Sequence, residues 1–255
     1  MKLQAMGALV VVELKKLYRD PMSLAVMVLM PVGLALIFYF ALSGITNDYY
    51  PVPGMNHFEY LLPGVMGYAV IYMGMMVALA LCDYRQSGLL DRVEATPVSP
   101  VAYLGSLTVA NMIIATIQGM IVLLVARLLG YVPQGGLVGL VLAALFLALL
   151  AVSAVGLGLI TASVAKDSGA AGGLAVIYIV PMMMFGALLA VFNETTRTIA
   201  RFTPNFYVSD SLSIIFHEGR ISDPAVWQNL LILALISAVL VVAGIQLFNK
   251  FGYRK

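Results

Sequence analysis

A chain of 255 residues that is 62% hydrophobic and only 10% charged has too little charge to coat a soluble globular surface, which carries roughly 25% charged residues. A net charge of +2 is too small to argue for a nucleic-acid partner, and the single cysteine, Cys82, excludes an intrachain disulfide framework and a cysteine-rich metal site. The length instead suits an all-α polytopic membrane protein of about six spans, each using about 20 residues.

Residues 1–20 come before the first span. On a helical wheel Leu3, Met6, Val10, Leu14 and Leu17 share one side, and Lys15, Lys16 and Arg19 share the other. This pattern predicts an amphipathic helix at a membrane interface. Asp20-Pro21 ends it, because proline disfavours a helical residue before it.

Six apolar stretches follow, at residues 22–42, 61–81, 103–128, 137–161, 172–192 and 226–248. Each is long enough to cross about 30 Å of hydrocarbon as a helix. Lipid leaves few alternatives, since every backbone polar group must be satisfied within the segment. A β-barrel needs shorter segments of alternating polarity. Ala41-Leu42-Ser43 resembles a signal-peptide cleavage site, but the apolar run before it is longer than a signal core. The small-residue runs at Gly156-Leu-Gly158 and Ala170-Ala-Gly-Gly173 suit close helix contacts, and Pro31 and Pro181 would kink spans one and five.

The basic residues set the orientation. Lys2, Lys15, Lys16, Arg19, Arg85, Arg92, Lys166, Lys250, Arg254 and Lys255 lie on one side, and only Arg127, Arg197, Arg201 and Arg220 on the other. Ten against four places both termini in the cytoplasm. The outer side then holds residues 43–60 and 193–225 and both histidines, His57 and His217. In the second of these loops Val208, Leu212, Ile215 and Phe216 recur at helical spacing after Pro204. This predicts a short segment re-entering the membrane before the last span, with Asp210, Ser209, Ser211 and Ser213 placed to line an exit.

No Asp, Glu, Lys, Arg or His falls in the middle of a predicted span. Ion-coupled transporters and voltage sensors need such groups despite an insertion cost of about 2.5–3.5 kcal/mol each. Ser153 has no base beside it in any predicted span, and the chain has no G-x-x-x-x-G-K-[ST] phosphate-binding loop. Energy for uphill movement must therefore come from another chain. The methionines at Met73, Met75, Met76 and Met182 to Met184 suit an adaptable apolar path as well as ordinary packing.

The strongly patterned polar element is the loop over residues 83–102. Residues 84–95 can form a short helix with Leu89, Leu90 and Val93 as an apolar patch and Arg85, Asp91, Arg92 and Glu94 on its polar faces; Thr96-Pro97 ends it. Residues 85–99 resemble the cytoplasmic signature of type-2 ATP-binding-cassette (ABC) exporter permeases of the daunorubicin- and polysaccharide-exporter kind, R-E-x-G-T-L-E-x-L-x-x-T-P-x-S-R. Arg85, Gly88, Leu90, Asp91, Val93, Thr96, Pro97 and Ser99 follow it, while Gln86, Leu89 and Pro100 depart from it. Residues 13–21, ending Arg19-Asp20-Pro21, are similar to the family's N-terminal segment. Pro181, Gly186, Pro204, Tyr207 and Gly219 are placed like the family's P…G…P-x-x-Y…G pattern, although Asn193-Glu-Thr-Thr-Arg197 stands where a proline-tryptophan pair is usual.

The resemblance implies a single transmembrane domain that forms the permease subunit of an exporter. It pairs with a second permease chain, identical or not, and with two copies of a cytoplasmic ABC ATPase. Residues 84–95 become the coupling helix that sits on the ATPase, with the patch around Leu90 as its anchor. The chain itself is no enzyme and binds no cofactor; ATP and Mg belong to the partner. Two other readings stand beside this one: a membrane assembly protein without its own path, and a channel or ion-coupled transporter, which the uncharged spans disfavour.

Overall fold

The computed structural model describes residues 2–46, 53–96, 98–188 and 194–252. The chain is all-α, with no strand among the described residues beyond an isolated bridge between Thr46 and Asn56. In chain order the helices are α1 (Lys2–Arg19), α2 (Pro21–Leu42), α3 (His57–Gln86), α4 (Leu89–Glu94), α5 (Pro100–Leu128), α6 (Gly136–Val164), α7 (Ser168–Met183), α8 (Glu194–Ala200), α9 (Pro204–Glu218) and α10 (Pro224–Leu247). A π-helical turn over Met184–Leu188 prolongs α7, and another over Phe248–Gly252 prolongs α10.

Five helices among the described residues are long and apolar enough to cross a membrane: α3, α5, α6, α7 with its π turn, and α10 with its π turn. The first expected span corresponds to α2, whose apolar part is Val28–Leu42. The helices run past the expected ends because local chemistry starts and stops them. Asn56 and Glu59 form a reciprocal capping box that starts α3 four residues before the apolar run. Asp167 accepts a hydrogen bond from the Ala170 amide at 2.7 Å and starts α7 at Ser168, ahead of the expected residue 172. The far end of that expected span, including Phe192, lies outside the described residues.

α3 and α6 form the centre. α3 touches α5, α6, α7 and α9, and α6 packs most extensively on α3 and α10. Small residues permit the close crossings. A Cβ at Gly158 would run into the Gly74 carbonyl oxygen, and a Cβ at Gly156 would sit 2.6 Å from the Leu240 carbonyl carbon. With lipid outside, helices gain from such close packing rather than from escaping water. The Ser153 hydroxyl lies 2.8 Å from that of Ser237, which joins α6 to α10. Outward faces are apolar, as on α10, where Leu231, Leu235 and Val239 are exposed. α1 does lay its apolar side against the bundle: Met6, Val10 and Leu14 are half-buried and the helix leans on α5. The side chains of Leu3 and Leu17 lie outside the described set.

Candidate functional site

The site is built at the end of the bundle where α1, α3, α4 and the α6–α7 connection meet. The expected helix over residues 84–95 is in fact two elements. α3 continues to Gln86, and the Ser87 amide closes on the Asp83 carbonyl at 2.9 Å. Gly88 then turns with φ +69°, a left-handed conformation that glycine adopts without a Cβ penalty, and α4 begins at Leu89. The break explains why a glycine stands in the middle of the motif.

The other end of α4 is closed by hydroxyls. Thr96 Oγ1 donates to the Val93 carbonyl at 2.6 Å, and Ser99 caps α5 by accepting from the Ala102 amide at 3.3 Å. Pro100 is the first residue of α5, where its missing amide hydrogen costs nothing. Pro97 and the Glu94 side chain lie outside the described set.

Two sequence expectations about where residues of this motif lie are corrected. Arg85 is not on a polar face of the short helix. It belongs to α3, and its guanidinium donates to the carbonyls of Ala162, Ala165, Lys166 and Gly252, at 3.2, 2.6, 3.2 and 3.3 Å. These are the terminal carbonyls of α6 and of the turn after α10, where helix ends leave acceptors unsatisfied and the dipole favours a cation. Leu90 is not an open anchor. It is 1% exposed and belongs to the protein's own core, with Val93 packed beside it. The reason is geometric: the turn at Gly88 folds α4 back so that its apolar side meets α3. The outward side carries Asp91, Arg92 and Thr96, all exposed, with Leu89 half-buried.

α1 completes this end. Lys16 pairs with Glu13 at 2.7 Å and places its ammonium 5.0 Å from the centre of the Tyr84 ring, so α1 is tied to the last turn of α3. Lys15 and Arg19 are exposed beside it.

From Glu13 and Tyr84 a groove of about 310 Å³ runs inward between α1, α2, α3 and α5. Met22, Met30, Met73 and Met76 line it, with Tyr72, Asn111 and Gln118 as polar groups along its wall. Met73 and Met76 were legible as path candidates; Tyr72, Asn111 and Gln118 were not singled out. Their signal was a polar side chain inside an apolar helix, the uncharged counterpart of the ionisable groups sought there.

At the opposite end α9 forms where the spacing predicted it. Val208, Leu212, Ile215 and Phe216 are all buried. Pro204 starts it and is buried, and Asn205 fits against Gly67 of α3, where a Cβ would meet its side-chain oxygen. Tyr207 donates from its hydroxyl to the Arg201 carbonyl at 2.7 Å. Asp210 is tied down: Arg197 lies 3.0 Å from one oxygen and the Asn229 amide 2.9 Å from the other. Ser209 donates to the Gly186 carbonyl at 2.7 Å, and Ser211 is buried near Asn229. Asp210, Ser209 and Ser211 therefore clamp α9 to α8, α10 and the π turn after α7. Asn193 lies outside the described residues.

No curated protein matches the chain. A comparison with protein families matches residues 4–217 to the ABC-2 type transporter family. The match takes in α1, the α3–α4–α5 junction, the groove and nearly all of α9. The chain thus belongs to the ABC-2 type transporter family and is a multi-pass membrane permease subunit of an ABC transporter.

Proposed function

We propose that the chain is the permease subunit of an ATP-driven exporter in the cell membrane, with six spans and both termini in the cytoplasm. It pairs with a second permease chain and takes its energy from two separate ATPase subunits that carry ATP and Mg. The observation that supports this reading is the mounting of α4. Its inner side is buried with Leu90 in the protein's own core, its outer side presents Asp91, Arg92 and Thr96, and Arg85 just before it holds the ends of three spans together. A push on α4 cannot be absorbed locally and would pass to α3, α6 and α10. Lys15 and Arg19 on α1 would face the same partner. The methionine- and tyrosine-lined groove would take an apolar or amphipathic substrate.

The test is charge reversal on the outer side of α4. The double variant Asp91→Arg, Arg92→Glu should fold and insert normally, because both positions are exposed. It should lose co-purification with the ATPase subunit and substrate-stimulated ATP hydrolysis by roughly tenfold or more, as truncated interface charges cost about 2–5 kcal/mol. Normal association would remove α4 as the coupling element. Reporters fused after Lys255 and within residues 43–60 should report cytoplasm and exterior respectively.

A further inference from the structure

At the end of the bundle opposite α4, a second cavity of about 160 Å³ opens where the loop before α3, the α5–α6 loop and the end of α9 converge. It is larger than the roughly 10–15 Å³ one water needs and smaller than the roughly 300 Å³ of a drug-sized site. Four polar residues line it: Glu59, Tyr131, Gln134 and His217. One Glu59 carboxylate oxygen accepts from the Asn56 amide at 3.1 Å, which leaves the other for a ligand. His217 is 3% exposed and Tyr131 5%. His217 Nε2 lies 3.1 Å from the Glu59 carbonyl oxygen. A carbonyl only accepts, so Nε2 carries the proton and Nδ1 presents a lone pair. Neither Nδ1 nor the Tyr131 oxygen has a hydrogen-bond partner among the described residues. Two buried polar atoms without partners beside a cavity are costly unless something fills it.

The fixed charge among the lining residues is the one carboxylate, beside the two unpartnered atoms His217 Nδ1 and the Tyr131 oxygen, the Gln134 amide and the aromatic residues Tyr131 and Phe216. A metal ion is a poor fit, because no group of three His, Cys, Asp or Glu gathers among the described residues. A compact primary ammonium supplies three donors and one positive charge, and the aromatic faces add to its attraction.

We propose that this cavity is a binding site for a small primary ammonium group, free or carried on a lipid headgroup such as ethanolamine. Glu59 supplies the counter-charge, and His217 Nδ1 and the Tyr131 oxygen accept the remaining hydrogens. That this end faces the exterior rests on the orientation proposed above; the binding itself does not.

The test uses the full chain in phosphatidylcholine nanodiscs at pH 7, with ethanolamine titrated by calorimetry and thermal shift. Saturable binding is expected with a Kd of about 0.1–10 mM, the range open to a ligand of this size. Ethylene glycol, which has no charge, should not bind. Glu59→Gln should weaken binding at least about tenfold while leaving the ligand-free Tm unchanged, since glutamine also completes a capping box. His217→Phe should weaken it as well. In discs containing phosphatidylethanolamine, a reduced apparent affinity for free ethanolamine identifies the lipid headgroup as the occupant, and an unchanged one identifies the free amine. No saturable binding in phosphatidylcholine, equal binding of ethylene glycol, or an unchanged Kd in folded Glu59→Gln would overturn the proposal.

Discussion

The Arg85 guanidinium reaches from the last turn of α3 to the Ala165 carbonyl at the end of α6, 2.6 Å away, although 80 residues separate the two in sequence. The same side chain reaches the Gly252 carbonyl at 3.3 Å. One cation therefore gathers the ends of three helices just before the turn at Gly88. A planar guanidinium can do this because its donors point in several fixed directions.

Arg85→Ala is expected to leave those carbonyls without this donor and to lower stability by about 1.5–3 kcal/mol, the usual worth of charge-assisted hydrogen bonds. Arg85→Lys should recover only part of the loss, because an ammonium cannot span the same set of acceptors. Thermal unfolding in detergent checks both. Equal melting of wild type and Arg85→Ala would show that water replaces the guanidinium without cost.

Leu90→Ala should act on stability rather than docking. Removing a fully buried leucine side chain costs about 2–5 kcal/mol, and Leu90 is 1% exposed. The variant should melt lower with or without the ATPase. A normal melting temperature combined with lost ATPase binding would restore Leu90 as a docking anchor.

Gly156→Val should push α6 away from α10. A Cβ there would lie 2.7 Å from both the Leu240 oxygen and the Val241 nitrogen, backbone atoms that cannot step aside. Overpacking of this kind costs about 1–3 kcal/mol, occasionally more. Gly173→Ala is the control, since no atom lies within 4 Å of its Cβ position. Cysteine cross-linking between α6 and α10, compared in the two variants, reads the separation directly.

His217 makes stability depend on pH. It lies on α9, outside the five long spans, and burial lowers its pKa to about 4 from an ordinary 6.5. Between these values the unfolded chain binds a proton that the folded protein refuses. The stabilising contribution is therefore fully present above pH 6.5 and is lost as pH falls toward 4. The loss is on the order of 3 kcal/mol at the acid end. Melting temperature should drop across this window, and His217→Gln should flatten the dependence; identical profiles would mean the imidazole charges without opening α9.

The spans were legible because lipid imposes one rule on every residue of a crossing segment, so a long apolar run carries the message by itself. α9 was legible for a related reason: Val208, Leu212, Ile215 and Phe216 recur at helical spacing and are all buried. The Gly88 break inside the motif was missed because one glycine in a charged stretch fits a continuous short helix as well as a turn. Tyr72, Asn111 and Gln118 were missed because neutral polar residues in a span carry no charge penalty to draw notice.

By itself, then, the sequence of this ABC-2 permease determined the helices, their apolar and basic faces and the family motif, all of which depend on neighbours within a few residues. Only the tertiary structure decided what those faces meet. Arg85 and Leu90 read as surface groups when each is judged by its own segment. Arg85 is half-buried and Leu90 fully buried because carbonyls from α6 and the turn after α10, and apolar side chains from the rest of the core, arrive from distant parts of the chain. Burial and hydrogen-bond pairing depend on that convergence, and no local pattern encodes it.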